Sequence, residues 1–147
     1  MMWGYAGIAS LIIVLMALFA FLRNLQKRRA RDVLESQAGK KIWAMSSGAS
    51  FFGQKSRGLA QVRGNGVLVL NDDGVYFEMW APRKKLLIPY RNVLTVEKVR
   101  SFMGKSCLRP LLKIVFVNDE GKPDAAGWYV KHVDRYLTII ENLRSKS

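Results

Sequence analysis

Residues 2–22 carry no charged side chain and are apolar at nearly every position, whereas the rest of the chain is divided into short apolar runs by polar and turn-forming residues. The first stretch reads as a helix. At about 1.5 Å per residue it covers roughly 30 Å, close to the hydrocarbon thickness of a bilayer, and a helix satisfies its own backbone hydrogen bonds there. The pattern predicts a membrane anchor over residues 1–22. A cleaved signal peptide would show a positive charge before the apolar run and A-x-A spacing after it. No Lys or Arg precedes this run, and Ala17-Leu18-Phe19-Ala20 lacks the spacing. Trp3 and Tyr5 suit the aromatic belt of a membrane interface.

Residues 24–41 place Leu25, Ala30, Val33 and Leu34 among many charges, with Gly39 as a helix stop. This predicts a basic juxtamembrane helix that either extends the span or lies along the membrane surface; the alternative is a solvated linker whose charges only set topology. Residues 46–58 are rich in Gly and Ser around Phe51 and Phe52, the composition of a linker. Residues 23–57 are therefore read as juxtamembrane helix plus linker, ahead of a domain over residues 58–147.

From Leu59 onward, short apolar runs alternate with turn residues at close intervals, as in an antiparallel sheet. Asn65-Gly66 tolerates the positive φ of a tight hairpin, which would pair residues 59–63 with residues 67–70. Asp72-Asp73-Gly74 gives the next reversal. In the following run Val75, Phe77 and Met79 share the inward face. Ala81-Pro82-Arg83-Lys84-Lys85 predicts an exposed basic turn, and Leu86-Leu87-Ile88 a strand that Pro89 ends. Residues 92–100 form another strand with Leu94 and Val96 on one face. Residues 101–110 read as a second basic loop, with Lys105 and Arg109. Leu112, Ile114 and Phe116 then share a face, residues 118–124 make a polar turn, and residues 126–130 close the sheet.

The period then changes from two to about 3.6, with Val133, Tyr136, Leu137, Ile140 and Leu143 on one stripe of a terminal amphipathic helix. Asp134 in its first turn and Arg144 in its last match the sign of the helix dipole.

Composition and charge then narrow the reading. With 147 residues, the chain holds one small domain beyond the anchor. Its net charge of +13 divides into +5 over residues 23–41 and +8 from Ile42 onward. Basic residues are retained on the cytoplasmic side of a span. Arg23, Lys27, Arg28, Arg29 and Arg31 follow the apolar run at once, so the amino terminus is expected outside and the remaining chain in the cytoplasm, at the cell membrane. Phosphates of lipid and of nucleic acid attract such a surface alike, but a tethered domain meets the anionic leaflet first. Nucleic acid ranks a distant third behind lipid and a membrane-protein partner.

The local phrasing is more particular. Gly66-Val67-Leu68-Val69-Leu70, Asp73-Gly74-Val75-Tyr76-Phe77 and Leu87-Ile88-Pro89-Tyr90-Arg91-Asn92-Val93, followed by the terminal helix, resemble bacterial pleckstrin-homology-like (PH-like) and GRAM-like domains. The resemblance implies a mainly-β barrel of about seven antiparallel strands capped by a C-terminal helix, here behind a single transmembrane helix. It also implies a non-enzymatic module that binds membrane lipid or a protein. Phosphoinositide-binding members carry a basic motif on the first two strands and the loop between them. Here that loop is read as Arg63-Gly64-Asn65-Gly66 with one cation, which favours unselective contact with anionic headgroups over a stereospecific inositol-phosphate pocket.

Candidate chemistry is sparse. Gly104-Lys105-Ser106 ends like a phosphate-binding loop, but Val99 stands where the pattern requires the first Gly. Asp72 and Asp73 are turn residues, and His132 reads as a capping or surface residue. A lone Cys107 and a single histidine leave no disulfide and no expected metal or cofactor site. Arg83, Lys84, Lys85, Lys105 and Arg109 are the expected contact surface for anionic phospholipid or a membrane-protein partner. The alternative function is an accessory or scaffold subunit of a membrane complex.

Overall fold

The computed structural model describes residues 2–147, with side chains from Gly4 onward; the Trp3 side chain, expected at the interface, lies outside the described residues. The chain divides between Ser36 and Gln37 into two compact units.

The first unit is one 35-residue helix, α1 (Met2–Ser36). Its most apolar 18-residue window has a mean hydropathy of 2.5, so this helix is long and apolar enough to cross a membrane. At 1.5 Å per residue it is about 50 Å long, which outruns the hydrocarbon layer. No Gly or Pro follows Leu22 until Gly39, so nothing breaks the helix where the charges begin. The basic segment continues the apolar helix without a break, and Arg23, Lys27, Arg28, Arg29 and Arg31 all lie on α1. Gly39, at φ 87°, sits in the turn beyond its end.

The second unit is a seven-stranded antiparallel sheet in the order β4-β3-β2-β1-β7-β6-β5, followed by a helix. The strands are β1 (Ile42–Gln54), β2 (Gly64–Asn71), β3 (Gly74–Met79), β4 (Lys85–Pro89), β5 (Val93–Phe102), β6 (Lys105–Val117) and β7 (Pro123–Tyr129), and the helix is α2 (Val133–Ser145). Inward residues of all seven strands meet in one core, so the sheet curls upon itself. This is the PH-like architecture expected. Phe51, Phe77 and Trp128 form its aromatic centre, with centroids 5.1 to 5.8 Å apart. The expected inward triplets Val75, Phe77, Met79 and Leu112, Ile114, Phe116 are all buried. α2 packs against β5 and β6 and buries Val133, Tyr136 and Ile140. Asp134 pairs with Lys98 at 2.8 Å, and Arg144 donates to the Leu94 carbonyl. His132 holds the N-cap position with φ 58° and makes no side-chain cap.

Several expectations are corrected. Residues 42–54, read within the linker, are β1, the strand that joins the two halves of the sheet by pairing with β2 and then β7. A register shift between Ser46 and Ala49 breaks its alternation, which is why it reads as a linker. Asn65-Gly66 is no hairpin turn. It lies in β2, and residues 59–63 belong to a connection rather than a strand. Gly66 is needed because a Cβ there would fall 2.7 Å from the Phe77 ring and onto the Glu78 carbonyl. Leu94 is 43% exposed because a register shift between Val93 and Thr95 turns it outward and buries Val93 instead. The second basic loop is only a tight reversal at Met103-Gly104, where φ is 50° and 74°. Lys105 and Arg109 are therefore on β6.

A candidate lipid-facing mouth

The connection between β1 and β2 is held by side chains. Asp124, at the start of β7 and 3% exposed, accepts hydrogen bonds from Gln54 Nε2 at 2.7 Å, Ser56 Oγ at 2.6 Å and the Ser56 backbone N–H at 2.9 Å. Burial pushes this carboxyl up, but the bonds from Ser56, Gln54 and the Ala125 N–H outweigh it and hold the group below the ordinary 3.8. Gln61 closes the far side, donating to the Gln54 carbonyl at 2.8 Å and accepting from the Gln54 N–H at 2.7 Å. Gly53, at φ 129°, leaves room for that amide, since a Cβ would lie 3.0 Å from it. Gln54 in turn accepts from Arg57 Nε at 3.2 Å. The guanidinium of Arg57 is thus aimed by a network that begins on β7.

The facing connection, between β3 and β4, is tied by the Met79 N–H to the Lys84 carbonyl at 2.8 Å. Together the two connections line a shallow cavity of about 20 Å³ with Phe51, Phe77 and Met79 behind it and Arg57, Val62, Lys84 and Lys85 around it. Its lining contains three cations and no carboxylate. A space of this size has room for about one water, so no headgroup is engulfed. What the mouth offers is a rim of positive charge. No residue of α2 lines it.

The expected site residues separate into two places. Lys84 and Lys85 stand on the mouth, while Arg83 beside them leans toward Glu78, with Nε 4.0 Å from Oε1. Glu78 is also bound by the Tyr76 hydroxyl at 2.7 Å, and burial together with that carboxylate raises the Tyr76 pKa. Lys105 and Arg109 lie elsewhere. Arg109 donates to the Tyr129 hydroxyl at 2.9 Å and borders a groove with Lys131, His132 and Asp134 near the start of α2. Arg57 is the cation that sequence reading missed. Its signal, Lys55-Ser56-Arg57, falls in the stretch taken for linker.

No family model matches the chain, and no curated protein matches it. Solved structures do. The chain is similar to the C-terminal domain of an unknown protein from Leishmania infantum, with a TM-score of 0.52 at 9% identity over 80% of this chain and 96% of that one. It also aligns with human RhoA in complex with the DH/PH fragment of PDZRHOGEF, with a TM-score of 0.49 at 11% identity over 74% of this chain and 30% of that one. The first likeness concerns the fold alone.

Proposed function

We propose that this chain is a single-pass membrane protein, amino terminus outside, whose cytoplasmic PH-like domain is a non-enzymatic module that contacts anionic lipid headgroups. The observation that carries the reading is the convergence of Arg57 from the β1–β2 connection, Lys84 from the β3–β4 connection and Lys85 from the start of β4 onto one mouth that has no carboxylate in its lining. Each cation near an anionic leaflet adds roughly 1 kcal/mol of attraction, so three on one rim suffice for reversible docking of a domain already tethered. The GRAM-like phrasing of β2, β3 and β4 belongs to the same reading. A membrane-protein partner is the competing occupant of the mouth.

Replacing Arg57, Lys84 and Lys85 by Gln should weaken cosedimentation of the domain, residues 37–147, with phosphatidylserine vesicles by about a hundredfold at low salt, following about 1 kcal/mol per cation. Added salt should weaken the unaltered domain in the same way. The Lys105→Gln, Arg109→Gln pair should have much less effect, since neither residue borders the mouth. Equal binding by all three forms would remove the mouth from consideration. The topology has its own check. A reporter fused after Ser147 should be active only in its cytoplasmic form, and activity outside would reverse the orientation.

A further inference from the structure

β1 is an interior strand of the sheet, yet it is covered unevenly. Along one edge it pairs with β2 from Ile42 to Phe51, whereas along the other it meets β7 only from Ser50 to Gln54. The cause lies at the end of β7, which stops at Tyr129 before His132, at φ 58°, turns the chain into α2. Residues 42–49 therefore keep one edge that no strand covers. Among the described residues, no backbone hydrogen bond joins residues 45–48 to the connection between β7 and α2. Free N–H and C=O groups along such an edge are a template for another strand. Beside this edge lies a cleft of about 340 Å³ between residues 45–48 and the start of α2. Lys131, His132 and Arg135, all exposed, line it, and no carboxylate does.

We propose that this cleft takes an extended acidic segment of a partner protein, added to the open edge of β1 as a short strand, with its carboxylates over Lys131 and Arg135. The edge argues for a peptide, because a backbone offers N–H and C=O groups at the spacing that the edge presents. An isolated anion would meet the cations and leave the edge unpaired. Charge argues for the sign, since Lys and Arg form charge-assisted hydrogen bonds to carboxylates and the lining holds no acid to compete. The same cations disfavour a second copy of this chain, whose net charge is +13. Met45, Tyr129 and Tyr136 give the cleft an apolar body for the segment's alternate side chains. The register shift between Ser46 and Ala49 limits the added strand to a few residues. The cleft shares no lining residue with the mouth, so this proposal stands apart from the lipid-facing reading.

The test uses the full chain in phosphatidylcholine nanodiscs, against which random peptides displayed on phage are selected, with empty discs as the counter-selection. Recovered sequences are then made as labelled free peptides. They should carry acidic residues at alternate positions, and their binding should slow amide hydrogen exchange at residues 45–48 several-fold. Two variants separate charge from space. The Lys131→Glu, Arg135→Glu pair should weaken peptide binding by about a hundredfold, since each charged hydrogen bond is worth roughly tenfold or more. Gly48→Phe keeps every cation and fills the cleft; an added Cβ there meets nothing within 4 Å, so the variant should keep its thermal midpoint and lose binding as strongly. The Lys84→Gln, Lys85→Gln pair, on the mouth, should bind the peptides as before. A selection that yields no peptide, or peptides without acidic enrichment, would overturn the proposal. Acidic peptides that leave exchange at residues 45–48 unchanged would overturn it as well, and this readout is made on the unaltered chain and needs no variant to fold.

Discussion

Replacing Asp124 by Ala is expected to destabilise the domain by about 2 to 4 kcal/mol and to abolish most of its vesicle binding. The carboxylate is buried and takes hydrogen bonds from Gln54, Ser56 and the Ala125 backbone. Its removal leaves buried donors without partners, at about 1 to 3 kcal/mol for each one that water cannot reach. Asn is no remedy. Its Nδ2 would replace the oxygen that faces Gln54 Nε2 and set donor against donor, while Gln54 is prevented from turning over because its Oε1 holds Arg57. Loss at Asp124 therefore travels to Arg57 and to the connection that carries it. Thermal melts and cosedimentation of the same variant read the two consequences. A variant that melts early yet binds normally would break the link between this knot and the mouth.

Acid should act through the same group. The folded carboxyl titrates below its ordinary 3.8, so the unfolded chain binds the proton more readily than the folded one. The stability it contributes is complete well above 3.8. It declines as pH falls past that value and is gone once pH lies below the folded value. The Asp124→Asn variant should lack this component of the acid transition when its midpoint is plotted against that of the unaltered domain.

What the sequence reveals and conceals follows from periodicity. In β3, β6 and α2 large apolar residues recur without interruption, and their inward faces are legible in the residues alone. β1 buries Ala44, Ala49 and Phe51 across two register shifts, and its small residues at Ser46, Ser47 and Gly48 have the composition of a linker. Missing β1 displaced the hairpin onto Asn65-Gly66, because a turn was then needed inside what is β2. It also hid Arg57, which becomes a mouth residue only when β1 delivers it there. Arg83, Lys84 and Lys85 were legible as consecutive cations after a proline. That Arg83 leans toward Glu78 depends on the course of the connection between β3 and β4. Lys105 and Arg109 were grouped with them because a run of polar and small residues does not disclose that its turn occupies only Met103-Gly104.

Replacing Trp128 by Ala should cost about 3 to 5 kcal/mol, against the roughly 5 to 15 kcal/mol that holds an ordinary domain together. The indole is fully buried, with centroid distances of 5.7 Å to Phe51 and 5.8 Å to Phe77, so its loss empties the centre of the core. For a unit of this size the thermal midpoint should fall by roughly 15 °C or more. Phe51 and Phe77 also back the mouth, and their collapse into the vacancy would withdraw the wall beneath Lys84 and Lys85. Phe at position 128 separates packing from polarity. The Trp128 indole N–H has no hydrogen-bond partner among the described residues, and an unmet buried donor costs about 1 to 3 kcal/mol. Trp128→Phe removes that donor along with part of the volume, and the two changes oppose each other. The Phe variant should therefore lose less than about 2 kcal/mol in urea unfolding and keep vesicle binding. A loss as large as that of Ala would mean that the indole N–H is satisfied in solution and that its polar contact, as well as its bulk, holds the core.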